Sequence, residues 1–342
     1  VATPATRLII NFHNNLWRPI FKLGEWLNLR APVPASSWLS SQDIENLLEL
    51  SRWETIKRQP RLLWPIETPL LAPLINRWIA PFFPFACLAI YTVARLRPSS
   101  AVQPHSVSVI IPARNEAGNI EDAVRRTPQM GTWTELIFVE GHSRDHTWAE
   151  IERVRAAYPD RRITALRQTG KGKGNAVREG YAAATGDILM ILDADLTMPP
   201  EELPKFYEAV ASGKAEFANG SRLVYPMDDK AMQFLNMLAN KFFGLAFSWL
   251  LGQRVKDTLC GTKVLAREHY FEIAANRAYF GDFDPFGDFD LLFGADKQNL
   301  KIRDIPIRYR ERTYGSTNIQ RWRHGLLLFR MLGVAARKLK FV

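Results

Sequence analysis

Residues 188–199 read ILMILDADLTMP, an apolar run that stops at two acids, Asp193 and Asp195, with one alanine between them. The run is strand-like, and the segments outward from it alternate. Before it, GNAVREGYAAAT (174–185) has helical spacing, ITALRQ (163–168) is a strand and TWAEIERVRAAYP (147–159) a helix. ELIFVE (135–140) is again a strand, NIEDAVRRTP (119–128) a helix, and SVSVIIPA (106–113) a β-branched run of the kind buried on both faces of a parallel sheet. Strand and helix in alternation predict a doubly wound α/β domain. Ligands of such sheets bind beyond the carboxyl ends of the strands. That rule singles out 112–116, 140–145, 170–174 and 193–195.

Two carboxylates two residues apart on an extended chain project to the same side. They repel unless a cation sits between them, and Mg²⁺ or Mn²⁺, shared with substrate phosphates, meets that need. A plain turn also uses aspartate where a strand ends. In QTGKGKGNAVREG (168–180), glycines with Lys171 and Lys173 precede a helix and offer N–H groups and ammonium charge to a phosphate. The spacing is not that of a Walker A loop, and a Gly-rich loop with solvated lysines has the same composition. In IIPARNEAGNI (110–120), Asn115 and Glu116 either bind a base or ribose or cap the following helix.

The whole chain has 342 residues, 47% of them hydrophobic, and 45 Lys+Arg against 35 Asp+Glu, a formal charge of +10. That apolar fraction excludes a disordered chain. Two cysteines cannot build a disulfide framework or a four-ligand zinc site. The positive balance suits nucleic acid, an anionic membrane or phosphate-rich substrates, and the absence of zinc-finger or RNA-binding signatures removes the first. No run approaches the ~18 uncharged apolar residues of a spanning helix. Two stretches nevertheless read as membrane-facing: AMQFLNMLANKFFGLAFSWLLG (231–252) and the basic, amphipathic RWRHGLLLFRMLGVAARKLKFV (321–342). RPSSAVQP (97–104) reads as a boundary. The charge is expected to divide between the Gly170 loop, the arginines near Ile307 and the C-terminal cations.

SVIIPARNE, FVEGHSRD, GKGNAVREG, DILMILDAD and NGSR, in that order, resemble the inverting family 2 nucleotide-sugar glycosyltransferases of the GT-A fold, over about residues 106–339. VKDTLCGTKVLARE (255–268) and GDFDLLFGADKQNLKIRDIPIRYRER (287–312) are most similar to the polyprenyl-phosphate sugar synthases of the dolichyl-phosphate mannose synthase group. The resemblance implies that Pro112, Arg114, Glu116 and Val139 hold base and ribose. It implies that Asp193, Ala194 and Asp195 form the metal and diphosphate motif, Asp195 being the direct ligand. Arg222 is implied to bind the donor and Arg312 a phosphate, with Asp290 near metal and acceptor. Two departures stand out: Glu140-Gly141 replaces the usual paired aspartates, and Asn318 replaces a lysine of the phosphate loop.

The implied reaction is inverting transfer of a sugar from a nucleotide-sugar donor. A hydroxyl acceptor needs a carboxylate base, for which Asp288 and Asp290 are available. A lipid phosphate is already ionised and needs arginines instead, and Arg308, Arg310 and Arg312 suit it. The expected location is peripheral, on the cytoplasmic face of a membrane, and the alternatives are transfer to a carbohydrate hydroxyl and a non-catalytic membrane module.

RLIINFHNNLWRPIFKLGEWL (7–27) and SWLSSQDIENLLELSRWETIKRQPRLLWP (37–65) resemble the carboxyl-terminal part of class I SAM-dependent methyltransferases: a late strand, a helix with Ser41 as N-cap, and a closing hairpin. No Gly-rich SAM loop accompanies them, which predicts an α/β remnant without methyltransferase activity. The expected organisation is a methyltransferase-like remnant or extension at 1–98, a linker at 99–105, a GT-A domain at 106–316 and a basic C-terminal helix at 317–342.

Overall fold

A computed structural model describes residues 2–31, 38–98, 101–102, 104–222, 234–279, 281, 287–310, 312, 314 and 321–341, without the side chains of 234–240 and 321–325. The chain divides into two compact units, Val1–Pro98 with Ala336–Val342, and Ser99–Ala335.

In the first unit β1 (Arg7–His13), α1 (Arg18–Trp26), α2 (Ser41–Leu50), β2 (Trp53–Arg61), α3 (Leu71–Leu74) and β3 (Ala89–Leu96) follow one another. The sheet order is β1–β3–β2, with β3 antiparallel to both neighbours. The N-cap of α2 is Ser40, not Ser41: the Ser40 hydroxyl accepts from Asp43 N–H while the Asp43 carboxylate accepts from Ser40 N–H. This reciprocal box satisfies two of the donors a helix leaves open at its start. Ile44 and Leu48, one turn apart, turn inward onto Ala94 of β3 and form a small core. The prolines between 65 and 84 break the apolar run into short turns, because each removes a backbone donor.

In the second unit eight α-helices and seven strands are described, starting with β4 (Val107–Ala113), α4 (Ile120–Arg126), β5 (Thr134–Glu140), α5 (Thr147–Ala157), β6 (Arg162–Arg167), α6 (Lys173–Ala183) and β7 (Ile188–Ile191). There follow α7 (Leu203–Ala211), β8 (Phe217–Ser221), α8 (Phe234–Leu251), β9 (Lys263–Ala266), α9 (Arg267–Ala275), α10 (Asp288–Lys297), β10 (Ile302–Pro306) and α11 (Arg321–Ala335), with short 3-10 turns between them. The strands form one sheet, ordered β10–β8–β9–β7–β4–β5–β6. All neighbours are parallel except β9, which runs antiparallel to β7 and β8. Every residue of β5 and β7 is buried, as a strand covered on both faces requires. Gly180 of α6 lets the helix lie on β4, since a Cβ there would stand 2.6 Å from Ile110 Cγ2.

Because β9 is reversed, the loop that enters it arrives at the carboxyl end of β7, beside Asp193. The sheet thereby gathers at one edge the loops after β4, β5, β6 and β7, and the loop before β9. The charge is not shared as the sequence suggested. The first unit has fourteen Lys and Arg against six Asp and Glu, a net charge of +8, which leaves +2 for the much larger second unit.

Candidate active site

At that edge lies a cavity of about 570 Å³. Its walls come from the four loops and from Arg312, which follows β10. Pro112, Arg114, Glu116, Val139, Lys173, Asp193, Ala194 and Asp195 all line it.

Three ion pairs organise the charge. Arg312 reaches across the cavity, donating from Nη1 to Glu116 Oε1 at 2.9 Å and from Nη2 to Asp195 Oδ2 at 2.7 Å. The other oxygen of Asp195 accepts from Thr197 N–H and from the Thr197 hydroxyl, so the carboxylate is held in one orientation. Lys173, the first residue of α6, stands 2.6 Å from Asp193 Oδ1. Burial by itself would lower the Lys173 ammonium, but Asp193 and Asp288 hold it above its ordinary value.

Gly261, in the loop entering β9, makes this pairing possible. A Cβ there would stand 2.2 Å from Asp193 Oδ2 and 2.3 Å from Lys173 Nζ. Both groups are the ends of side chains and can move, so the prediction is loss of the pair and not of the fold. Gly261→Ala is expected to weaken binding of UDP or GDP by about tenfold or more, measured by calorimetry, with an unchanged circular dichroism spectrum.

Glu116 does not cap the helix that follows. It is buried, its Oε2 accepts from the Asn119 amide, and its backbone N–H donates to the Thr147 hydroxyl. Asn115 Oδ1 instead accepts from Arg144 N–H, which fastens the loop after β4 to the loop after β5. Burial pushes the Glu116 carboxyl up to about 6, although the Arg312 guanidinium works against it. The folded protein therefore favours the neutral acid. Stability from this group is complete below its ordinary pKa of 4.5 and is lost as pH rises through 6. Wild type should lose up to ~2 kcal/mol relative to Glu116→Gln across that window, as read from denaturation midpoints at either end.

The remaining expected residues lie elsewhere. Arg222 is committed to Asp257: Nε and Nη2 donate to the two carboxylate oxygens at 2.7 and 2.9 Å. Asp257 is fully buried; burial would raise it, but Arg222 holds it below the usual carboxylate range. Arg222 does not line the cavity, and its guanidinium is occupied by Asp257. Asp290 faces Arg277, whose Nε donates to it at 2.5 Å, with Arg178 at 3.6 Å. It too is buried and off the cavity wall. Asp288 opens α10, is buried, and has Lys263 at 3.9 Å. Burial raises its carboxyl, with Lys173 and Lys263 opposing. Arg308 and Arg310 are exposed and do not line the cavity, because the chain has left the sheet at Pro306 before reaching them. Of the three arginines expected at the acceptor, Arg312 alone lines it. Asn318 lies outside the described residues.

Residues that the sequence reading passed over also line the cavity. Gln168 is buried where β6 ends and donates through Nε2 to the Gly172 carbonyl and to Asn175 Oδ1, both at 2.8 Å. Its Oε1 lies where a side chain at Gly141 would begin, 3.0 Å from a Cβ built there. The glycine of Glu140-Gly141 is thus matched by a glutamine from the next strand. Among the described residues no group of three or more His, Cys, Asp or Glu forms a metal cage. Asp193 and Asp195 nonetheless present carboxylate oxygens on one wall, the donor chemistry a hard divalent cation takes when substrate oxygens complete its shell.

Comparison with known proteins agrees with this architecture. The family described as glycosyl transferase family 2 matches residues 108–273. The matched segment lies within the second unit. A dolichol-phosphate mannosyltransferase of Pyrococcus furiosus is 39% identical over 34% of this chain and 33% of its own length. Glycosyltransferase AglJ of Haloferax volcanii is 27% identical over 66% of this chain and 70% of its own. The chain thus spans about a third of the length of the first of these relatives. A solved structure of a mycobacterial protein, 19% identical, covers 69% of this chain and 75% of its own with a TM-score of 0.50, and shares the α/β fold. The mostly parallel sheet of the second unit is GT-A-like.

Proposed function

We propose that the chain transfers a sugar, with inversion, from a nucleotide-diphosphate sugar to a polyprenyl phosphate at the cytoplasmic face of a membrane. The observation that carries the reading is the cavity wall on which Asp195, Asp193 and Lys173 stand together with Arg312. A donor diphosphate finds the Lys173 ammonium and the N-terminal end of α6 there. Asp193 and Asp195 would hold Mg²⁺ or Mn²⁺, which supplies neutralisation of the charge that grows on the leaving diphosphate. Arg312, a planar fork already in the cavity, matches the oxygens of an acceptor phosphate.

The alternative acceptor, a carbohydrate hydroxyl, needs a carboxylate to take its proton. Both candidates are buried and beside cations: Asp290 between Arg277 and Arg178, Asp288 near Lys173 and Lys263. An acceptor that is already ionised removes that requirement. The relative named for dolichol phosphate supports the same choice.

Peripheral attachment is supported by α8 and α11, whose rings meet where Phe243 and Phe329 lie 5.2 Å apart. Leu245 and Leu326 there are about three-quarters exposed, at 74% and 76%. No helix among the described residues is long and apolar enough to cross a membrane. For the first unit we retain the methyltransferase-like remnant, supported by its strand, helix and hairpin order, with no SAM binding expected by calorimetry.

Radiolabelled nucleotide-sugar incubated with polyprenyl phosphate and Mn²⁺ should give a lipid product that mild acid cleaves. Label found on a carbohydrate hydroxyl and none on lipid overturns the acceptor assignment.

A further inference from the structure

The first unit turns apolar side chains outward. Along α1 and its approach, Leu16, Ile20, Leu23 and Trp26 are 60%, 53%, 53% and 77% exposed, while Trp17 and Phe21 lie on the inner side. The Trp17 indole donates to the Ala86 carbonyl at 2.8 Å, and the Asn14 amide to the Phe85 carbonyl at 2.7 Å. These bonds fasten α1 beside a second exposed pair of rings, Phe82 at 60% and Phe85 at 67%. Scattered exposed leucines are ordinary, but a joined patch of this kind marks a contact surface.

The charge says what the surface contacts. This unit has the +8 already noted, and Arg18 and Lys22 of α1 are exposed on the side of the helix away from Leu16, Ile20 and Leu23. An exposed apolar helix face, with cations on the same helix and a tryptophan at its end, fits a layer whose apolar interior lies under anionic headgroups. The apolar side chains enter the acyl boundary, the basic stems reach back to phosphate, and the indole sits at the interface. Each cation near an anionic leaflet adds on the order of 1 kcal/mol.

We propose that the α1 surface of the first unit, outside the glycosyltransferase domain, docks on an anionic lipid surface. It is a second attachment, separate from α8 and α11, and does not depend on sugar transfer. The test is flotation of the purified chain with vesicles of equimolar phosphatidylcholine and phosphatidylglycerol at low salt, comparing Leu23→Glu/Trp26→Glu with Leu326→Glu in the second unit. Both sites are exposed, and circular dichroism checks that each variant folds. Wild type should float with these vesicles and much less with phosphatidylcholine alone. The double variant should partition about tenfold less well, since two apolar side chains are withdrawn from the layer. A double variant that floats like wild type overturns the proposal, as does a wild type that never floats. A wild type that sediments as a dimer which the double variant splits overturns it in favour of a contact between two copies.

Discussion

Asp195→Ala should lower sugar transfer by about 10³-fold. The substitution removes the carboxylate oxygen that Arg312 grips and the one that Thr197 orients, and with them the oxygen donor offered to a divalent ion. Loss of a single preorganised charge at a developing anion costs 10²–10³ in rate, and here the same residue also fixes Arg312. Arg312 keeps Glu116 as partner, so the cavity wall should persist and denaturation midpoints should stay near wild type. The measurement is initial rate with radiolabelled donor at saturating metal. Transfer within a fewfold of wild type would remove Asp195 from the reaction. If the wild type transfers from no donor while still floating with vesicles, the chain is a membrane module and not an enzyme.

Arg222→Ala should lower the melting temperature by about 10 °C, the largest stability effect expected in the second unit. It strands the Asp257 carboxylate, which is fully buried and takes both of its side-chain ion-pair bonds from this arginine. Breaking a buried pair from one side costs about 3–5 kcal/mol, and each kcal/mol moves a domain of this size by about 2–4 °C. Were Arg222 instead a donor contact, the melting temperature would hold and the donor's KM alone would rise. A differential scan together with a KM measurement separates the two.

These residues show what a linear reading delivers. The strands and helices between Val107 and Ile191 were legible because each is a pure pattern: apolar runs buried on both faces, helices of ordinary amphipathic spacing, polar turns between. The residues at the strand ends followed, since in a doubly wound sheet the carboxyl ends converge whatever the loop chemistry. The partners of those residues were not legible. Nothing local marks Asp257 as the mate of Arg222, because the two are brought together by β8 and by the loop before β9. Asp290 was available as a base by resemblance, and nothing in its sequence neighbourhood announces the Arg277 and Arg178 that stand beside it in space. Gln168 and Gly261 lie inside stretches already singled out, but nothing in the sequence gives either a role. Each matters through what stands opposite it: Gly141 in one case, the Lys173–Asp193 pair in the other.

The Arg312 bridge has a consequence for how the molecule is made. It joins Glu116, 196 residues earlier, to Asp195, 117 residues earlier. Closing loops of that length is entropically costly and comes after local structure has formed. A chain emerging from the ribosome can build β4 through β7 long before Arg312 exists, and until then Glu116 and Asp195 face each other without their shared cation. The binding cavity is therefore among the last things this chain acquires, and a fragment ending at β10 would keep every strand of its sheet while lacking a balanced site.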